Sequence, residues 1–334
     1  GTVQAPPSKS AAHRAILCAA LSHGTSVLHN VAPSEDILAT CRAVHALGVE
    51  TDFSGSDLLL DAGGLFCSPY VELDCGESGS TLRFLIPIVA AGGISARFTG
   101  KGRLPQRPIG IYLDCLPKAG VYCQTQGGLP LSINGKLRPG IFSLPGDVSS
   151  QFVTGFLFAL PLLDGDSDIR LTTPLQSAGY VDMTIDIMRE FGVGIEKTEQ
   201  GWHIPGGQNY RSRSFTVEGD WSQAAFFLAA GALGNKPVCI KGLRIPSTQG
   251  DSAAAEIFAR FGAKIEQGDG EVTVYPSVLH GIEIDASQVP DLVPILAVTG
   301  ALAQGETRIT GAARMRIKES DRLTAMADGI NRLG

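Results

Sequence analysis

The sequence has 334 residues, enough for two domains with sizeable cores. With 44% hydrophobic and 18% charged residues it reads as globular rather than disordered, and a net charge of −6 argues against nucleic acid as a partner. Seven cysteines with no C-x-x-C pair point to reduced thiols in a cytoplasmic protein, and the six scattered histidines offer no zinc-ligand spacing.

Gly1-Thr2-Val3-Gln4 lacks the charged start and apolar core of a signal peptide. The longest apolar run, Phe152 to Leu163, is too short for a membrane span and contains Gly155 and Pro161. The first stretch with chemistry is Pro6 to Arg14. Two prolines end any preceding element, and Ser8 or Ser10 can cap a helix that continues through Ala15 to Leu21. Lys9 then sits at the positive end of the helix dipole, where a cation is disfavoured, and Ser10 and Arg14 share a face. A bound anion would explain this crowding. A solvated cap with stray surface charges would read the same.

Ser78-Gly79-Ser80-Thr81 opens a second apolar helix. Lys101 to Pro108 is a loop with three cations in which Pro108 orders the turn and holds Arg107. Asp147-Val148-Ser149-Ser150-Gln151 places three hydrogen-bonding side chains at another helix start, where ordinary capping is the alternative. Ser167 to Arg170 and Leu171 read as a strand. Val181 to Phe191 reads as an amphipathic helix with Met183, Ile187 and Met188 on one face. A hairpin follows, with strands from Gly194 and from Trp202 and a turn at Gln200-Gly201. Trp221-Ser222-Gln223 opens a further helix. Asp291 precedes the apolar stretch Leu292 to Leu296, as a cap would. In Arg314 to Arg322, Lys318 and Arg322 are four apart, so they share one helical face and repel unless an anion lies between them, with Glu319 beside them as a proton carrier. A salt-bridged surface helix is the plainer reading of that stretch.

Two glycine series show an internal repeat. Gly48, Gly120, Gly192, Gly262 and Gly334 end helix-like stretches at steps of 72, 72, 70 and 72 residues. Gly24, Gly93, Gly165, Gly234 and Gly305 precede strand-like stretches at steps of 69, 72, 69 and 71. Each unit reads β-α-β-α-β-β, and such units must pack on one another to bury their apolar faces. The fold class is therefore α/β, two similar domains of repeated units. The domains are expected at residues 7–218, with three units, and at 1–6 plus 219–334. The hinge falls near Val217 to Asp220, and a second crossing near Ala5-Pro6-Pro7 pairs the chain start with the later domain. The fifth unit stops at its second helix, so the last unit is expected to be missing from a longer protein. Equivalent helix starts would face one cleft, where cations, hydroxyls and two carboxylates suit an anionic substrate and general acid–base catalysis.

Six motifs then carry a resemblance: P-x-S-K-S-x-x-x-R at Pro6 to Arg14, S-G-[ST]-x-x-R at Ser78 to Arg83, R-P-I-G at Arg107 to Gly110, V-S-S-Q-F at Val148 to Phe152, V-E-G-D at Val217 to Asp220, and K-E-S-D-R at Lys318 to Arg322. The sequence resembles the 5-enolpyruvylshikimate-3-phosphate (EPSP) synthase family over its whole length. The resemblance implies transfer of the enolpyruvyl group of phosphoenolpyruvate to the 5-hydroxyl of shikimate 3-phosphate, in aromatic amino acid biosynthesis. It implies no metal and no organic cofactor, glyphosate as inhibitor, a cytoplasmic location, no membrane partner, and a monomer for the complete enzyme. Ser10, Arg14, Ser149, Ser150, Ser177 and Lys318 would hold shikimate 3-phosphate, with Gln151 beneath its ring. Lys9, Gly79, Arg107 and Arg322 would hold phosphoenolpyruvate, and the missing side chain of Gly79 would let that substrate or glyphosate approach the backbone. Asp291, touching shikimate 3-phosphate, would take the proton of the attacking hydroxyl, and Glu319 would exchange one with the methylene. Lys9, Asp291 and Glu319 are thus the catalytic candidates.

Pro7 stands where the family has Gly, Glu77 where it often has Asn, and the family's later His-Arg pair and late Lys lie beyond Gly334. Two other readings stay open. One is a UDP-N-acetylglucosamine enolpyruvyl transferase-like enzyme, although the loop Lys101 to Pro108 lacks the reactive Cys of that relative. The other is an inactive fragment that binds shikimate 3-phosphate without turnover.

Overall fold

The computed structural model describes residues 1–334. They form two compact units. One comprises Lys9–Gln176 and Tyr180–Val217, the other Gly1–Ser8, Ser177–Gly179 and Glu218–Gly334. Below, these are the larger and the smaller unit.

Strand β1 (Thr2–Gln4) belongs to the smaller unit. The first repeat follows in the larger: α1 (Lys9–Ala20), β2 (Ser22–His23), β3 (Thr25–His29), α2 (Glu35–Ala46), β4 (Glu50–Ser54) and β5 (Asp57–Asp61). The second is β6 (Tyr70–Asp74), α3 (Gly79–Gly92), β7 (Ser95–Thr99), α4 (Gly110–Cys115), β8 (Tyr122–Gln124) and β9 (Leu131–Asn134). The third is β10 (Ile141–Leu144), α5 (Ser150–Ala159), β11 (Ser167–Leu171), α6 (Ala178–Glu190), β12 (Glu196–Thr198) and β13 (Gly201–Ile204). After β14 (Tyr210–Arg211) and β15 (Ser214–Thr216), the fourth repeat comprises α7 (Trp221–Leu233), β16 (Val238–Lys241), α8 (Ala254–Arg260), β17 (Lys264–Gln267) and β18 (Glu271–Tyr275). The fifth is β19 (Glu283–Asp285), α9 (Val293–Leu302), β20 (Arg308–Thr310) and α10 (Arg322–Leu333). The predicted β-α-β-α-β-β order is the order found.

Four sheets share one plan: β15-β3-β5-β4, β6-β7-β9-β8, β10-β11-β13-β12 and β1-β16-β18-β17. In each, the first two strands are parallel and the hairpin adds antiparallel, as in Val71 opposite Ala96 and Ala96 opposite Ile133. The fourth repeat borrows its first strand from the chain start, where Val3 lies opposite Ile240. The first repeat borrows its own from β15, where Phe215 lies opposite Leu28. The fifth repeat has the parallel pair β19-β20.

The five helix-ending glycines all adopt left-handed backbone, with φ of +99° at Gly48, +92° at Gly120, +85° at Gly192, +101° at Gly262 and +109° at Gly334. That conformation carries little penalty only for glycine. At Gly48 a side chain is excluded twice over, because a Cβ would lie 2.0 Å from the Gly64 carbonyl oxygen. In the larger unit the first helix of each repeat is buried on nearly every side and becomes core. Residues Ala11 to Ala20 of α1 are all buried, as are Phe152 to Ala159 of α5. Phe84 of α3 packs edge-on against Phe158 at 5.6 Å. The second helices cover this core with one face each, as Val181, Met183, Ile187 and Met188 of α6 do.

Two local expectations change. Asp220, not Ser222, caps α7 by accepting from Gln223 N at 3.0 Å. The stretch 314–322 is not one helix. A 3₁₀ turn covers Ala313–Ile317, Lys318 is extended, and α10 begins at Arg322. Asp321 forces this break by capping α10 through Thr324 N at 3.1 Å.

Candidate active site

The larger unit ties three helices into one hydrogen-bond system. His13 of α1 bonds through Nδ1 to Thr40 Oγ1 of α2 at 2.8 Å, and Thr40 bonds Thr81 Oγ1 of α3 at 2.7 Å. Thr81 donates in turn to Ser78 Oγ, 2.7 Å away, and Ser78 caps α3. Burial, helped by the Lys9 and Arg14 cations, lowers the His13 pKa to about 3 against the pull of Asp36. A neutral imidazole is thus part of the frame. The sequence reading had assigned His13 no place.

Lys9 is half exposed at the start of α1, and its Nζ lies 2.6 Å from Asp36 Oδ2. This pair offsets the dipole penalty at Lys9. Ser10 offers its carbonyl to Arg14 Nη1 at 2.8 Å. Arg14 itself is buried, with Nε donating to Thr184 Oγ1 at 2.8 Å and Nη2 to the Tyr180 carbonyl at 3.0 Å. Its guanidinium also lies over the Phe84 and Tyr180 rings. Burial lowers its pKa to about 10, which leaves it a cation at neutral pH. Three of the five donors of Arg14 thus meet protein groups.

The cation loop folds as a 3₁₀ turn, Leu104–Gln106, and Arg107 behind it is buried. The Arg107 guanidinium lies directly over Gly79. A Cβ on Gly79 would be 2.5 Å from Nη1 and 2.7 Å from Cζ. The open backbone at Gly79 is therefore the seat of Arg107, a closer reason for the glycine than room for a ligand. Glu77 presses on the same loop, with its carboxyl carbon 2.6 Å from where a Gly102 Cβ would stand. Ser149 caps α5 by accepting from Gln151 N at 3.3 Å, and Ser150 is buried beside it. Gln151 donates through Nε2 to Ser80 Oγ at 2.9 Å and accepts on Oε1 from Arg83 Nη1 at 2.6 Å.

In the smaller unit, Lys318, Glu319 and Arg322 gather around the Asp291 carboxylate, while Ser177 lies apart from it. Arg322 Nη1 donates to Asp291 Oδ1 at 2.7 Å, and Lys318 Nζ lies 3.8 Å from the same oxygen. Arg322 Nη2 donates to Glu319 Oε2 at 2.9 Å. Lys318 and Arg322 meet here across the break before α10, not on one helical face. Partial burial works against the charge of Arg322, yet Asp291 and Glu319 raise its pKa above the ordinary value. Asp291 lies in the 3₁₀ turn Pro290–Leu292 ahead of α9, whose N-cap position is Leu292. Ser177 sits in left-handed backbone, φ +57°, and accepts from Arg314 Nη2 at 2.9 Å. Arg314, which had no separate role in the sequence reading, also holds the Ser287 carbonyl at 2.9 Å. No cluster of three or more His, Cys, Asp or Glu side chains has metal-holding geometry, and no helix is long and apolar enough to cross a membrane.

Comparison with known proteins fits this arrangement. The EPSP synthase of Acinetobacter baumannii matches the chain with a TM-score of 0.83 at 28% identity, covering 98% of this chain and 77% of that one. The enolpyruvyl transferase NikO of Streptomyces tendae matches with a TM-score of 0.73 at 21% identity, over 92% and 74% of the two chains, which bears on fold alone. The class is thus an enolpyruvyl-transferase fold. The profile of EPSP synthase (3-phosphoshikimate 1-carboxyvinyltransferase) matches residues 1–334. The 3-phosphoshikimate 1-carboxyvinyltransferase of Clostridium kluyveri is 47% identical over 336 residues, which span 100% of this chain and 79% of the relative. That of Clostridium acetobutylicum is also 47% identical, over 340 residues and again 79% of its length. The chain belongs to the EPSP synthase family, a family of transferases.

Proposed function

We propose that the chain transfers the enolpyruvyl group of phosphoenolpyruvate to the 5-hydroxyl of shikimate 3-phosphate and releases phosphate. The observation that carries this is the family match over all 334 residues. The gathering of Lys318, Glu319 and Arg322 around Asp291 supports it with groups suited to the chemistry.

The net reaction replaces one C–O bond at the enolpyruvyl carbon by another and leaves the methylene as it was. By addition and elimination, the methylene gains a proton as the hydroxyl oxygen adds, then loses one as phosphate departs. Two proton carriers are needed, one for the hydroxyl and one for the methylene. Asp291 takes the hydroxyl proton and Glu319 serves the methylene. Arg322 binds phosphoenolpyruvate, and its bonds to both carboxylates fix their places relative to that anion. In the larger unit, Arg107 and Lys9 also receive phosphoenolpyruvate, and Gly79 leaves room for Arg107. Ser10, Arg14, Ser149, Ser150 and Gln151 hold shikimate 3-phosphate, as do Ser177 and Lys318 of the smaller unit. Glyphosate, also an anion, competes for the phosphoenolpyruvate groups. The reaction needs no cofactor, and the complete enzyme works as a cytoplasmic monomer.

The test is to incubate the chain with both substrates and follow product and phosphate by ³¹P NMR. Phosphate release that requires both substrates is expected. A fluorescence change on adding shikimate 3-phosphate, with no phosphate released, would leave a binding protein and sink the transferase reading.

A further inference from the structure

We infer that Arg83 is a positioning residue that locks Gln151 and the Arg107 loop to a single helix, and so sets both for substrate. The inference rests on the roles proposed above for Gln151 and Arg107. Arg83 is buried on α3, four residues after Gly79. Its Nη1 donates to Gln151 Oε1 on α5 at 2.6 Å, and its Nη2 donates to the Pro108 carbonyl at 3.0 Å. Pro108 directly follows Arg107, whose guanidinium rests on Gly79 of the same helix. One fork thus spans two structures that belong to different repeats.

The geometry around the fork is built for orientation. Gln151 is held at both ends of its amide by α3 side chains, Arg83 on the oxygen and Ser80 on the nitrogen. The Arg83 guanidinium lies 5.1 Å from the Phe152 ring centroid, so its plane is fixed as well. Tyr112 Oη donates to the Arg83 carbonyl at 2.5 Å, tying the backbone of that turn to α4. A buried guanidinium is costly to desolvate, and an apolar side chain would fill the same volume at less cost. What an apolar residue lacks is the two-pronged hold on Gln151 and Pro108. Lysine lacks it too, because an ammonium has no rigid fork.

The experiment compares the wild-type chain with Arg83→Lys, and with Ser80→Ala, which frees the other end of Gln151 and leaves the buried cation in place. Two readouts are taken on folded protein: steady-state KM and kcat with both substrates, and the ¹⁵N signal of the Gln151 side-chain amide without substrate. Small misplacement of a binding group costs up to ~10²-fold, so kcat/KM of Arg83→Lys is expected to fall ~10–10²-fold, with KM for both substrates raised. The Gln151 amide signal is expected to shift from its wild-type position in both variants, because each removes one of its two partners. A loss of folded molecules alone lowers kcat and leaves both KM values in place, so unchanged KM values overturn the positioning role. Should Arg83→Lys fail to fold, Arg83→Met, which removes the fork and buries no charge, decides by the same two readouts. The amide needs no substrate, which separates this inference from the proposed function. If the wild type does not turn over, the functional reading falls. The lock then stands or falls by whether the amide moves.

Discussion

At His13 the cost of burying a charge outweighs the pull of a nearby carboxylate. Burial comes first, the Lys9 and Arg14 cations add to it, and Asp36 opposes them, leaving a pKa of about 3. An unfolded histidine titrates near 6.5. Between those values the unfolded chain binds a proton that the folded chain refuses, so acidification below pH ~6.5 removes stability, by at most ~1.4 kcal/mol per pH unit. Urea unfolding of wild type and His13→Asn at pH 7, 6 and 5 checks this. The variant is expected to lose less stability than wild type between pH 6.5 and 5, and equal slopes would refute the assignment. A second residue-level prediction concerns Gly79. A methyl group there collides with the buried Arg107 guanidinium, and at the first residue of α3 the helix preference of alanine does little to offset this. Gly79→Ala should therefore push Arg107 aside and show a raised KM for phosphoenolpyruvate, with glyphosate binding weakened as well. An unchanged KM would show that Arg107 moves aside without consequence. Ser78 and Ser149 were legible in the sequence because a cap acts within three residues of itself. Arg83, Arg314 and the inward turn of Arg14 were not, because they bond groups 25 to 170 residues away in the chain, and no local pattern records such pairings.

The elements follow the same division. Helices and hairpins were readable where period and punctuation agree, as in α6 with its apolar face and Gly192. The stretch 314–322 misled because the spacing of Lys318 and Arg322 matches a helix, while Asp321 caps a helix that starts one residue later. Spacing alone does not say where the first turn lies. At α7 the sequence marks Trp221-Ser222-Gln223 as the helix start, but the cap is Asp220, a carboxylate at the positive end of the helix dipole. Ser222 instead donates its hydroxyl proton to Asp251. Asp220→Ala should then destabilise the smaller unit by ~1–2 kcal/mol, and Asp220→Asn should recover most of that, because an amide oxygen also accepts from Gln223 N. Chemical denaturation followed through Trp221, the first residue of α7, measures the difference. An alanine variant as stable as wild type would show that the cap contributes nothing.

Across the whole molecule the repeat was the strongest signal, because left-handed glycines recur at a nearly constant step and only glycine adopts that backbone at little cost. The uneven covering of the apolar helices was only half legible. In the apolar stretch Leu292 to Leu296, Leu292, Ile295 and Leu296 are buried. They pack within the core of the smaller unit, beside Leu228 and Phe258. The uncovered surface instead lies at Val298 and Leu302 of α9 and at Phe226 of α7, which are 38%, 64% and 46% exposed. In α10 no residue is buried, although Leu323, Met326, Ile330 and Leu333 form a helical stripe. Each large apolar side chain left in water forgoes ~1.5–3 kcal/mol of burial, and local stability follows the apolar contact a segment makes. Native-state hydrogen exchange should therefore find the amides of α10 and β20 the fastest among the regular elements, α9 intermediate, and α1, α3 and α5 the slowest. Residues 220–334 as a whole should be less protected than residues 10–215. Equal protection of α10 and α5 would mean that burial in the isolated chain does not govern its local opening, and the ranking would have to be abandoned.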